Sequence, residues 1–237
     1  MTKMIFENWR RFLNENNSSE ERKARTGALI WNDSTYRPVE DELLADVPTP
    51  LTPDFLRNIP QGHAGIILIK EIPSSSMQTY CLSIDFGPRD YCSKKDAGHL
   101  LNLRRKIGVF VNGQVKQRSF NKEYNFFDDV NKYLPDILRS NSKKIDRKLA
   151  NQVGFASNID FDKAAKFARS MTCKLYTIIP NFAFAGGNNC GSFALKVAAV
   201  AKGASPEIGK NIIGPDEVLP LMLNLGWLDF AQSIDAS

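Results

Sequence analysis

Histidine is scarce in this chain: 237 residues hold two, His63 and His99, so any imidazole chemistry rests on one or both of them. The four cysteines, Cys81, Cys92, Cys173 and Cys190, form no Cys-x-x-Cys pair. Nor do they stand at a spacing from either histidine that would build a zinc site, so neither a metal nor another cofactor is expected. An even cysteine count does not by itself establish disulfides. The chain has no run of about 20 apolar residues and no amino-terminal apolar stretch of the signal-peptide kind, so no transmembrane segment and no signal peptide are expected. A large excess of one charge is also missing. Thirty-one Lys and Arg stand against 26 Asp and Glu, a net charge of +5. A solvated surface accounts for that, and no nucleic-acid partner is expected. No internal repeat is visible.

What is present is ordinary for a globular protein. Apolar residues make up 43% and charged residues 24% of the chain, enough for a sizeable core without metals or disulfides. Three regions follow from the pattern: 1–26, 27–60 and 61–237. In the first, apolar residues at 5, 6, 9, 12 and 13 have helical spacing and one sticky face, followed by a polar linker. Two uses are open for residues 1–13: packing on their own domain, or docking onto a larger assembly. The second region, with its prolines and acidic residues, reads as a covering segment of loops.

The third region reads as the functional domain. Strands are expected at Ala64 to Lys70, Gln78 to Phe86 and Lys106 to Phe110, with Asn112-Gly113 as a hairpin turn leading into Val115 to Phe120. Phe126 to Arg139 reads as mixed helix, followed by a basic stretch at 140–148 that a solvated face explains. A helix is expected from Asp160 as N-cap, with Phe161, Ala164, Ala165, Phe167 and Ala168 on one face. Tyr176 falls on a short extended piece. A helix from Cys190 stops at Gly203, and Gly214-Pro215-Asp216-Glu217 leads into a last apolar helix over Val218 to Leu225. The expected fold class is α+β: an antiparallel sheet of four to six strands packed against the helix that bears Cys190.

Cys190 is the candidate nucleophile. It opens its helix just after Gly186-Gly187, where unpaired backbone N–H groups and the helix dipole favour the thiolate. His63 is the candidate base, at the mouth of the apolar strand Gly62-His63-Ala64-Gly65-Ile66-Ile67-Leu68-Ile69. In the next strand, alternation sets Tyr80, Leu82, Ile84 and Phe86 on one face and Cys81, Ser83 and Asp85 on the other. Cys81 and Cys173 read as inert buried thiols, Cys92 beside Lys94 and Lys95 as an exposed loop thiol, and His99 as a loop or early-helix residue outside this chemistry.

A His-x-Gly followed by branched apolar residues, a second strand and a distant Asn-Cys-x-x-Phe-Ala helix resembles the circularly permuted papain-fold hydrolases. These include permuted NlpC-like enzymes, PPPDE peptidases and lecithin:retinol acyltransferase-like proteins. The matching stretches are Gly62 to Ile69, Thr79 to Gly87 and Asn188 to Gly203. The resemblance implies a papain-like cysteine peptidase or amidase with Cys190 as nucleophile and His63 as base. The third role falls on a polar residue of the second strand, Asp85 or Ser83, of which Asp85 is preferred because a carboxylate both orients and stabilises an imidazolium. Some enzymes of these families work with the Cys-His pair alone. An oxyanion hole would use the Cys190 N–H, aided by Asn188, Asn189 or Gln61, and Tyr176 is a further candidate for substrate binding.

The implied reaction is hydrolysis of an amide bond in a peptide, a protein or peptidoglycan, through a thioester. Acyl transfer on the same fold and a catalytically inactive structural or virion component are the alternatives. Phe6-Glu7-Asn8-Trp9-Arg10-Arg11-Phe12-Leu13 resembles amino-terminal segments on proteins of large tailed phages. The expected location is therefore the cytoplasm, or a virion, or a site reached without a signal peptide.

Overall fold

The computed structural model of the protein describes residues 24–33, 62–72, 78–88, 111–145, 150–176, 187–211 and 214–234. The segment 1–13, the covering stretch 34–61 with Gln61, the strand expected at 106–110, Cys92 and His99 lie outside these residues. Continuous apolar runs, rather than alternating ones, mark strands whose two faces are both covered, and the two runs Gly27-Ala28-Leu29-Ile30-Trp31 and Ala64-Gly65-Ile66-Ile67-Leu68-Ile69 sit at the middle of the sheet. They belong to β1 (Thr26–Asp33) and β2 (His63–Ile72), and the runs are buried throughout. Around them stand β3 (Gln78–Pro88), β4 (Val111–Lys122), β5 (Gln152–Ser157), β6 (Leu175–Tyr176) and β7 (Phe230–Ser233). The spatial order is β6-β4-β3-β2-β1-β5-β7, and every neighbouring pair is antiparallel.

The fold class is α+β as expected, and among the described residues the sheet carries one strand more than the four to six anticipated, the two-residue β6 at its edge. Two other assignments change. Residues 27–33, grouped with the covering segment from the sequence, are the inner strand β1, hydrogen-bonded to β2 and β5, so the domain begins before residue 61. Asn112-Gly113 does not turn the chain. Both residues lie inside β4, where Gly113 pairs with Pro88 and Asn112 with Leu175. The glycine is needed for close approach instead: a Cβ at Gly113 would run into the Phe86 ring. Its N–H donates to Lys174 O and its carbonyl accepts from Cys173 N, each at 2.8 Å. Cys173 differs from its reading too, being exposed and disulfide-bonded.

Helices cover both faces. On one lie α2 (Phe161–Ser170), α3 (Cys190–Ala201) and α4 (Val218–Asn224), packed with Ile30, Ile66, Leu68, Ile84 and Phe86 into one core. On the other, α1 (Val130–Ile145) sets Leu134, Ile137 and Leu138 against Leu29, Ile67, Ile69 and Phe155. α2 starts as expected, with Asp160 Oδ1 accepting from Lys163 N at 3.0 Å. α3 is buried on every side except at Lys196. Such a helix must run through a core, and its Gly and Ala positions let neighbours approach closely. It ends at Gly203, whose φ of +76° suits glycine.

A polar cluster ties the chain at the end of the sheet away from His63. Glu71 is 5% exposed. It accepts from Arg25 Nε at 2.9 Å, Arg25 Nη2 at 3.1 Å and Asn125 Nδ2 at 2.6 Å. Hydrogen bonding from Arg25 outweighs the cost of burial and holds the Glu71 carboxyl below its ordinary value of 4.5. A group so shifted adds stability above its unfolded pKa and loses it as pH falls through the folded one. Glu71→Ala is therefore expected to cost about 1–3 kcal/mol at pH 7. Denaturant titrations of both proteins should show the gap narrowing on acidification below pH 4; a gap that does not change with pH would assign the loss to packing alone.

Candidate active site

Cys190 is the first residue of α3 because Asn189 caps the helix. Asn189 Oδ1 accepts from Ser192 N at 2.7 Å, and Ser192 Oγ accepts from Asn189 N at 2.9 Å, a reciprocal capping box. Asn188 is pinned as well: its N–H donates to Leu175 O at 2.9 Å and its Oδ1 accepts from Lys196 Nζ at 2.5 Å. A parallel bridge joins Asn188 to Tyr176. Tyr176 in turn packs on Phe86, with ring centroids 5.6 Å apart, and Phe86 stacks on Phe193 of α3 at 4.9 Å. The side-chain oxygens of Asn188 and Asn189, both expected near an oxyanion, are thus committed to holding the start of α3. Gln61 lies outside the described residues.

The cysteine, the histidine and the carboxylate meet. His63 Nε2 is hydrogen-bonded to Asp85 Oδ1, and the imidazole and the Cys190 thiol lie close enough for each to shift the protonation of the other. Cys190 Sγ also lies 4.0 Å from Gly62 O, and the nearby Ala64 N–H favours the thiolate. Strand alternation had put Asp85 on the face of Cys81 and Ser83, and the two cores divide that way, with Cys81 on the α1 side and Leu82, Ile84 and Phe86 on the α3 side. Ser83, the other candidate partner for His63, makes no hydrogen bond.

Burial works against charge here and is overcome. For Cys190 desolvation raises the pKa, but the positive imidazole, its hydrogen bond and the Ala64 N–H together bring it below the ordinary thiol value. For His63 desolvation lowers the pKa, while the thiolate and the hydrogen bond with Asp85 push it up to about 9. Each group thus stabilises the charged form of the other. Cys81 is the contrast: buried in the second core without such partners, its thiol is pushed up to about 12.

Two contributors were not singled out from the sequence. Trp31 packs on His63, ring centroids 5.5 Å apart. It can do so because Gly65, directly across from it, has no side chain. A Cβ at Gly65 would stand 2.5 Å from Trp31 Cζ2 and 2.7 Å from Cε2. The glycine of His-x-Gly was in plain view, but the strand carrying Trp31 was not read as a strand. The N–H of Ala64 leaves no trace in side-chain chemistry.

Comparisons of the chain with protein-family models, with curated proteins and with solved structures return no match. Among the described residues no cluster of three or more His, Cys, Asp or Glu could hold a metal ion, and no helix is long and apolar enough to cross a membrane.

Gly65→Ala should displace the indole and with it the imidazole. The expected result is a lower melting temperature and a slower reaction of Cys190 with iodoacetamide at pH 7. An unchanged alkylation rate would show that Trp31 does not hold the ring.

Proposed function

We propose that the chain is a cysteine hydrolase of the permuted papain-like kind, cleaving an amide bond through a thioester. The observation that carries this reading is the buried Cys190 thiol at a helix start, its charge favoured by a histidine that a carboxylate holds by a hydrogen bond. In the reaction the thiolate attacks the carbonyl carbon, and the negative charge that develops on oxygen meets the first N–H groups of α3, which have no acceptor within a helix. Collapse breaks the C–N bond as His63 gives its proton to the departing amine. A water then loses a proton to His63, attacks the thioester and releases the acid, returning the thiol for the next cycle. Asp85 keeps the imidazole oriented and offsets its charge.

A peptide, protein or peptidoglycan fits this chemistry as substrate. The disulfide at Cys173 favours a working place outside a reducing cytoplasm. Acyl transfer differs only in what attacks the thioester, an amine in place of water.

The test is a thioester trap. Incubation with a peptide or peptidoglycan substrate and hydroxylamine should yield the hydroxamate of the acyl half, and Cys190→Ala should yield none. Absence of product with every substrate class, together with an ordinary titration of the Cys190 thiol near pH 8.5, would sink the reading.

The charged pair also sets a pH window. His63 must be protonated to donate, and its raised pKa keeps it so until pH rises through about 9. The rate should fall above that point, and on the acid side as the thiolate takes up a proton. Asp85→Asn should lower kcat by about 100- to 10,000-fold, the range of a lost acid–base function, and should move the alkaline limb to lower pH. A limb that stays at its wild-type position would show that Asp85 does not act through the imidazole.

A further inference from the structure

Two buried donors on the α1 face of the sheet have no acceptor. Trp31 Nε1 and Ser83 Oγ make no hydrogen bond, and each residue is 1% exposed. Leaving such a group unpaired costs about 1–3 kcal/mol, so two of them near one place call for a shared explanation. The strand registers bring them to that place. Trp31 is opposite Gly65, and Ile66 is opposite Ile84, so one step further along the ladder Gly65 stands opposite Asp85. The position a Gly65 Cβ would take lies 3.0 Å from Trp31 Nε1. The indole N–H therefore lies over Gly65, between its own strand and the strand of Asp85. Ser83 precedes Asp85 by two residues and shares its face.

We propose that Trp31 and Ser83 are positioning residues that hold the Asp85 carboxylate through one internal water. The water accepts from Trp31 Nε1–H, shares a hydrogen bond with Ser83 Oγ and donates to Asp85. Internal waters commonly make about three hydrogen bonds to groups that would otherwise be unpaired, and this site supplies three partners from two strands, Trp31 from β1 and Ser83 and Asp85 from β3. The arrangement gives the indole two duties: its ring packs on His63, and its N–H steadies the carboxylate that orients His63. It rests on reading Cys190, His63 and Asp85 as the hydrolytic site, and it names residues that reading does not require.

The experiment follows alkylation of Cys190 by iodoacetamide against pH in the full chain, with peptide mapping to separate it from the other thiols. Trp31→Phe keeps an aromatic ring and removes the N–H; Ser83→Ala removes the hydroxyl. Each should move the acid-side inflection of the Cys190 profile up by about half to one pH unit, the size of one neutral hydrogen bond. Because both act through one water, the double variant should move it no further than the larger single change. Profiles that superimpose on the wild type, or single shifts that add in full, would overturn the proposal. Should Trp31→Phe fail to fold, Ser83→Ala decides alone: a shift in the profile supports the water, and a loss of melting temperature with an unmoved profile refutes it. A wild-type thiol that titrates near pH 8.5 would instead bring down the hydrolase reading on which the proposal stands.

Discussion

The burial of α3 governs where everything else in this molecule falls. A helix apolar on nearly every side gains most by passing between the sheet and a second layer of helices, and here that layer is α2, α4 and the segment Pro206–Asn211. Phe193 stacked on Phe86 sets its depth, and a Phe→Ala change in such a place costs about 3–5 kcal/mol. Its two ends are then fixed by polar means. At the far end Ala201 O accepts from Asp160 N at 2.8 Å, joining the end of α3 to the start of α2. At the near end the capping box and the Asn188–Lys196 hydrogen bond stop the helix at Cys190. The thiol is delivered to the mouth of β2 by packing made elsewhere along the helix.

Setting charge at that point has a cost. A lone thiolate in this setting would be driven to protonate, as burial does to Cys81. Three compensations reverse the outcome at Cys190: the imidazolium, its hydrogen bond and the Ala64 N–H. Asp85 raises the pKa of the thiol directly by repulsion, yet it keeps His63 positive. The carboxylate thus opposes the thiolate at long range and supports it through the histidine. Asp85 is hydrogen-bonded to the imidazole itself, and the positive ring it supports lowers the thiol pKa by more than the carboxylate's own repulsion raises it.

The residues of this site were legible in the sequence, and much of the sheet was not. Cys190 announced itself by its place after a glycine pair and before an apolar helix, and His63 by opening an apolar run. Asp85 followed from strict alternation over Gln78 to Phe86, which fixes a face without knowing any neighbour. The strand β1 escaped because it is short, apolar without alternation and bounded by polar stretches that read as linker. β5 escaped in the same way, as six residues between a basic stretch and a helix. Both are inner strands covered on two sides, where periodicity carries no signal. Asn112-Gly113 misled for the opposite reason. The dipeptide is a strong local turn signal, but the glycine answers to Phe86, which is distant in sequence.

That last case has a parallel at the end of the sheet where His63 lies. Gly113 and Gly65 are both strand glycines, a position that weakens a strand unless something needs the space. At Gly113 the occupant is Phe86, which carries contact on to Phe193 and so to α3. At Gly65 it is Trp31, which carries contact on to His63. Each glycine lets one large ring lie across a strand, and each ring leads to one half of the pair: the first to the helix of Cys190, the second to the imidazole. The His-x-Gly pattern is therefore more than a strand-start signature in this chain. The histidine takes its packing from an aromatic two strands away from Asp85, and only a residue without a Cβ at the intervening position lets that aromatic reach it.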